Sequence, residues 1–227
     1  MPHIDEAQAG LLAPDRIAAE LRDDIVRGRL LPGSRLKDAE LAERFGVSRN
    51  TLRDAVRTLV SDGLVVTRVN AGSSVRVLTE DDARDIYGVR RALETSAIEA
   101  SSRVPAARFE AIEDALDGAR RAVDEERWRD LGTASLGFHR AIVGLHGSPR
   151  LDAFFTNILA QLRLVFSVMP DESSFQLQWI DLDREIADHI VSGRRREASS
   201  ALLAYLDRSE SLIIDTIRAA RSSRRAH

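Results

Sequence analysis

Apolar positions in the first sixty residues recur at helical spacing in three short blocks, and then the pattern switches to alternation. Ile17, Leu21 and Ile25 lie four apart and predict a helix that starts near Pro14, where proline suits the first turn, and is closed by Gly28. "LLPGSRL" reads as a turn at Pro32-Gly33 that leads through a short extended piece to Leu36. Asp38 is placed to N-cap a two-turn helix with Leu41, Ala42 and Phe45 facing inward. Gly46 then offers a left-handed C-cap, Val47 fills the corner, and Ser48 caps a third helix that runs to about Asp62 and stops at Gly63. Its apolar repeat is Leu52, Ala55, Val56, Leu59 and Val60. Two short helices joined by about three residues that include glycine make the helix-turn-helix pattern. Beyond it, "LVVTRV" and "SSVRVL" are β-branched runs separated by "NAG", a hairpin signal. Three helices and a hairpin predict a winged helix-turn-helix with Asn70-Ala71-Gly72 at the wing tip.

From Glu80 onward strand signals give way to helical periodicity. Helices are expected at about 80–103, 105–125, 128–146, 149–169, 175–192 and 196–220. Ser148-Pro149 marks one start, "MPDESS" breaks the pattern near Pro170, and Gly193 ends the fifth helix. The last helix carries Ala198, Ala201, Leu202, Tyr205, Ser209, Leu212 and Ile213 on one side. The expected organisation is mainly α: a winged helix-turn-helix over 1–78 and an all-α bundle over 79–227, each long enough for its own core.

Composition narrows the chemistry. The chain has 227 residues and no cysteine, which removes disulfides, thiolate catalysis and cysteine-based zinc sites and fits a cytoplasmic setting. No apolar run approaches the ~18 residues of a membrane span, and "MPHIDEAQAG" lacks a basic and apolar signal pattern, so no membrane association is expected. No P-loop and no GxGxxG motif is present. The net charge of −3 is uneven: residues 44–76 carry six arginines against Asp54 and Asp62. A polyanion partner suits that stretch, although Lys37 is the sole lysine and coding preference alone could enrich arginine. Within it Arg49, Arg53 and Arg57 recur at i, i+4 and i+8. A helix N-terminus in the major groove presents first-turn side chains to base edges; Arg suits guanine, Asn suits adenine, and the Ser48 and Thr51 hydroxyls suit phosphates. The alternative is a solvated face paired with neighbours such as Asp54.

"IAAELRDDIVRGRLLPGSRLKDAELAERFGVSRNTLRDAVRTLVSDGLV" resembles the DNA-binding domain of the GntR family of bacterial transcription regulators. The resemblance assigns operator contacts to Ser48, Arg49, Asn50, Thr51 and Arg53, and to the wing residues Asn70 and Gly72. Ala39 and Ala71 stand where family members often carry basic residues. "DIYGVRRALETSAIEA", "FHRAIVGLHGSPRL" and "IADHIVSGRRREASSALLAYLDRS" are similar to the FadR-type (FCD) C-terminal domain of that family, a bundle that dimerises and binds an effector. The resemblance therefore implies a homodimer that binds operator DNA under control of a small molecule.

Many relatives hold a divalent metal with one Asp and three His, at positions that fall here on Ser135, His139, Asp183 and Tyr205. Only His139 is retained, so no metal and no cofactor is expected; an altered site using His139 and His146 is the alternative. Without metal, Arg90 in "VRRALE" is the group implied to hold an organic acid or acyl-bearing effector, with Ser135, His139, Asp183 and Tyr205 around it. Read instead as an ordinary helix residue, Arg90 is a surface arginine paired with Glu94 at i+4. A Ser135–His139–Asp183 hydrolase would belong to another class, but the sequence offers neither a nucleophile elbow nor a Gly-rich oxyanion loop, and no catalytic residue is assigned. Trp128, Trp179 and the Phe154-Phe155 pair suit core or dimer interface better than a cofactor box.

Overall fold

The computed structural model describes residues 12–169 and 171–225. The outer ends of both expected domains, the break placed at Pro170 itself and the end of the basic tail lie outside the described residues. The chain divides into two compact units between Val77 and Leu78.

In the first unit the elements are α1 (Ala13–Val26), β1 (Arg35–Leu36), α2 (Asp38–Phe45), α3 (Arg49–Ser61), β2 (Val65–Arg68) and β3 (Gly72–Val75). The three strands form an antiparallel sheet in the order β1-β3-β2, with Val65 opposite Val75 and Arg68 opposite Gly72. α1 packs on α3, burying Ile17, Leu21 and Ile25 of the first and Leu52, Ala55 and Leu59 of the second, and Leu64, Val65 and Val75 complete the core. These are the stripes that 3.6-residue and two-residue periodicity select. Gly46 sits at φ 63° between α2 and α3, and the Ser48 hydroxyl accepts the Thr51 N–H at 3.1 Å. One expectation fails here. Asp38 is the first helical residue rather than the cap: Lys37 occupies the N-cap position with extended backbone and offers no side-chain cap. The extended run of β1 ends at Lys37, so the helix starts one residue earlier than a carboxylate cap at Asp38 would need. Asp24, buried at the end of α1, accepts from Arg29 Nε at 2.5 Å and from Arg44 Nη1 at 2.7 Å, which ties α1 to α2.

The second unit is helical throughout its described residues: α4 (Glu80–Ala100), α5 (Glu110–Asp124), α6 (Trp128–Gly144), α7 (Pro149–Phe166), α8 (Glu172–Leu177), α9 (Ile180–Val191) and α10 (Arg195–Arg225). A reciprocal capping box opens α4, with Thr79 and Asp82 exchanging bonds of 3.2 and 2.8 Å. The first expected helix closes in a 3₁₀ turn (Ser101–Arg103), and the second opens with another (Ala106–Arg108) before α5. The fifth, expected over 175–192, is two helices. Its apolar positions run on through the break, but the Gln178 side-chain amide donates to the Phe175 carbonyl at 3.0 Å, an acceptor a continuing helix would reserve for Trp179 N–H. Trp179 N–H turns to Gln176 instead, at 3.1 Å. Asp171 starts α8 one turn early by accepting from Ser174 N–H at 3.0 Å. α4 packs on α6 and α10, and α9 on α10, around Phe138, Phe155, Trp179, Leu202 and Leu206. Phe154, beside Phe155, is instead half exposed.

Ser48 and Asp38 separate cap from non-cap. Ser48→Ala is expected to lower the stability of the first unit by about 1 kcal/mol, whereas Asp38→Ala, which removes no cap, should cost clearly less. Urea unfolding of both variants measures this; equal losses would contradict the assignment of the cap.

Candidate functional site

Two surfaces hold the residues with chemistry to offer, one in each unit, and they differ in solvent access. At the start of α3, Ser48 and Thr51 share a hydroxyl bond of 2.8 Å, while Arg49 and Asn50 are exposed and have no side-chain partner among the described residues. Arg53, 60% exposed, reaches Asp38 at 3.3 Å. Arg57 pairs with Asp54 at 2.7 Å and so takes the solvated pairing. Exposed pairs of this kind are worth ~0–1 kcal/mol and yield readily to a stronger anion. In the wing, Asn70 and Gly72 both adopt left-handed backbone, at φ 61° and 74°. Glycine and asparagine are the residues that tolerate this turn. Arg68 stands exposed at the foot of the wing.

Arg90, Ser135, His139, Asp183 and Tyr205 come from α4, α6, α9 and α10 and are all buried in the second unit. Glu94 joins them with no exposure at all. Arg90 Nε donates to Glu94 Oε1 at 2.9 Å, and His139 Nδ1 lies 2.6 Å from Glu94 Oε2. Arg90 also lies over the Tyr87 ring at 5.0 Å, and the Tyr87 hydroxyl bonds Ser209 at 2.6 Å. The Ser135 hydroxyl donates to Asp183 Oδ2 at 3.3 Å, and Asp183 Oδ1 is 4.0 Å from His139 Nε2. The Tyr205 ring packs on His139 at 4.8 Å and on Trp179 at 4.5 Å. Four buried polar atoms in this cluster have no hydrogen-bond partner among the described residues: Arg90 Nη2, His139 Nε2, Asp183 Oδ1 and Trp179 Nε1. Since buried polar groups are normally satisfied, such a concentration makes this cluster the candidate ligand site of the second unit.

Burial pushes the Asp183 carboxyl well above its usual range, with the Ser135 bond and Arg90 opposing only in part. Burial likewise lowers the His139 imidazole, against the pull of Glu94. For Glu94 the balance reverses: burial disfavours its charge, but His139 and Arg90 outweigh it and hold the carboxyl below the usual range. A carboxylate only accepts, so the neutral His139 ring carries its proton on Nδ1 and leaves Nε2 as a bare acceptor.

This donor set does not fit a divalent metal. His139 Nε2 and Asp183 Oδ1 are two strong ligands, the other two positions offer hydroxyls, Glu94 is committed to His139 and Arg90, and the guanidinium adds a fixed positive charge. His146 does not complete the set: its Nε2 bonds the Leu93 carbonyl at 3.3 Å, and it lines a separate groove of about 510 Å³ with Arg103 and Arg108. Nor is there a hydrolase arrangement, since the Ser135 hydroxyl donates to Asp183 and not to His139. Glu94 is the residue that sequence reasoning misplaced. Its i+4 spacing to Arg90 signalled the pair, but as a surface pair. Tyr87, one turn before Arg90, carried a similar signal.

Residues 14–75 match the family described as "Bacterial regulatory proteins, gntR family", and residues 85–208 match the FCD domain. The HTH-type transcriptional regulator BphR of Paraburkholderia xenovorans is 34% identical over 149 residues, which span 63% of this chain and 61% of that protein. A probable D-xylose utilization operon transcriptional repressor of Paenarthrobacter nicotinovorans is 28% identical, covering 88% of this chain and 90% of its own. The crystal structure of a putative GntR transcriptional regulator from Rhodococcus sp. RHA1 superposes with a TM-score of 0.83 at 33% identity, over 89% of this chain and 97% of that one.

Asp183 allows a test of the cluster's electrostatics. Its folded pKa is raised, so its contribution to stability is fully present below about pH 3.8 and is lost as pH rises toward the folded value. Asp183→Asn removes that liability. The variant is expected to match the parent near pH 4 and to be the more stable of the two at pH 7, as thermal midpoints at both values would measure. A variant less stable by the same amount at both would contradict the assignment.

Proposed function

Because the chain belongs to the GntR family of bacterial regulatory proteins and its second unit is an FCD domain, we propose that it is a cytoplasmic, homodimeric transcription regulator whose operator affinity is set by an organic acid or acyl-bearing metabolite. The observation that carries the effector half is the buried Arg90 guanidinium, which keeps Nη2 uncommitted beside three further unpartnered polar atoms. A guanidinium edge suits a carboxylate or acyl oxygen, and Ser135, His139, Asp183 and Tyr205 orient the rest of the ligand. On the DNA side, α3 enters the major groove, with Arg49, Asn50 and Arg53 toward base edges and Ser48 and Thr51 toward phosphates. Asn70 and Gly72 hold the wing in its turn beside the duplex. Effector binding favours one spacing of the two DNA-reading heads over another and so changes operator affinity. The probable repressor role of the Paenarthrobacter nicotinovorans relative supports repression relieved by effector as the mode of action.

Operator fragments recovered from genomic DNA test the first half. Arg49→Ala and Arg53→Ala are each expected to weaken the specific complex by about 1–3 kcal/mol, and log affinity to fall with log salt by ~0.9 per phosphate neutralised. Unchanged specific binding in both variants would remove α3 from recognition. Elemental analysis of the purified protein after mild chelation is expected to find well under one equivalent of zinc, nickel or manganese per chain. Stoichiometric metal that disappears in His139→Ala would instead restore the metal-dependent reading.

A further inference from the structure

The cluster around His139 has a charge count that constrains its ligand. Arg90 and Glu94 pair at 2.9 Å inside the core, so the guanidinium is already balanced. His139 and Asp183 form a second couple, 4.0 Å apart through two unpartnered atoms. Burial keeps the proton on Asp183 and the imidazole neutral, so their sum is zero. The groups that face His139 are Arg90 and Glu94 from α4, Asp183 from α9 and the Tyr205 phenol from α10. The Arg163–Glu172 pair of α7 and α8, bonded at 2.6 Å, lies against Gly132, about two turns back on α6, and is itself balanced. The interior is thus walled from water and electrically neutral. A carboxylate entering alone would leave one uncompensated negative charge there, an arrangement buried sites avoid. The atom able to relieve it is His139 Nε2, because Nδ1–H is already donated to Glu94.

Taking the acid reading above as its basis, we infer that this buried cluster binds a carboxylic acid as a net-neutral load, with the carboxylate on Arg90 Nη2 and one proton, drawn from the solvent, accepted by His139 Nε2. The imidazolium so formed lies between the Glu94 carboxylate and the ligand. Burial keeps the unliganded imidazole below its usual pKa, so Nε2 is a free base at neutral pH, and the arriving negative charge raises it. The sign follows from that rise. Affinity is greatest below the unliganded pKa, falls by about tenfold per pH unit between the unliganded and liganded values, and levels off above the latter. His139 is therefore the residue that sets the pH at which the effector is sensed.

The probe is a panel of two- to eight-carbon carboxylic acids, plain, 2-hydroxylated and dicarboxylic, each beside its neutral primary amide, screened by thermal shift on the full-length dimer. The acid that stabilises most is then titrated calorimetrically near pH 7.5 in phosphate and in Tris, whose ionisation heats differ. The expected result is uptake of about one proton per bound acid, weaker binding by about tenfold per pH unit above neutrality, and no uptake with the matching amide. His139→Gln, which cannot accept the proton, is expected to abolish both the uptake and the pH slope. Uptake near zero in the parent protein overturns the inference and leaves the acid reading standing, a comparison that decides the matter even if the variant fails to fold. Uptake that persists in His139→Gln overturns the role of His139. Amides that bind as tightly as their acids, or a panel in which no acid binds, overturn the acid reading and this inference with it.

Discussion

The buried sharing of Glu94 between Arg90 and His139 is the constraint on which the second unit turns. A carboxylate with no exposure survives in a core only if each oxygen has a partner, and here Oε1 takes Arg90 Nε and Oε2 takes His139 Nδ1. That requirement fixes the register of α4 against α6, because both partners must arrive at one carboxyl group. It fixes the tautomer of His139 as well, and with it the face on which the ring can meet a ligand. Removing one member of such a buried set leaves a charge without a counterpart, at a cost of roughly 3–5 kcal/mol, whereas pairs at the surface scarcely register. The same interaction therefore orders the helices and restricts what they can bind.

A second, partly buried pair shows how closely the bundle is fitted. Arg163 and Glu172 meet over Gly132, where an added Cβ would lie 2.5 Å from Arg163 Nη1 and 2.6 Å from Glu172 Oε1. Glycine in the middle of α6 weakens the helix by about 1 kcal/mol relative to alanine, and the close approach of this pair accounts for its presence. The pair also holds the short helix α8 against the bundle. Through Phe175, α8 supports Trp179, whose ring packs on Tyr205 at 4.5 Å. The aromatic packing beside the His139 cluster is in this way tied to polar contacts outside it.

The first unit follows the opposite rule. Asp24 at the end of α1 is a buried carboxylate there too, but the arginines of α3 lie outside, either without a side-chain partner among the described residues, as Arg49, or in exposed pairs, as Arg53 with Asp38 and Arg57 with Asp54. Loosely held arginines on the exposed face of a rigid helix cost little to redirect to phosphates or base edges. Ser48 and the left-handed glycine at position 46 supply the rigidity by fixing where α3 begins.

Much of this was legible along the chain because its causes are local. The stripe Ile17, Leu21, Ile25, the cap at Ser48, the turn at Gly46 and the wing at Asn70-Gly72 each depend on a few neighbouring residues, and so did the change from alternating to helical period near Glu80. Resemblance, not periodicity, pointed to Arg90, Ser135, His139, Asp183 and Tyr205 as a group. What only the tertiary structure decided was burial and partnership. The sequence spacing of Arg90 and Glu94 is that of any solvated i+4 pair, and nothing in it says that α6 and α10 close over both. The split between α8 and α9 was equally hidden, since Phe175, Trp179, Ile186 and Ile190 keep one face through it and a single Gln178 side chain makes the difference. Hydrophobic periodicity records which face of an element is inward. Which polar groups end up sharing that interior, and therefore their charge states, depends on helices far apart in the chain meeting at one point.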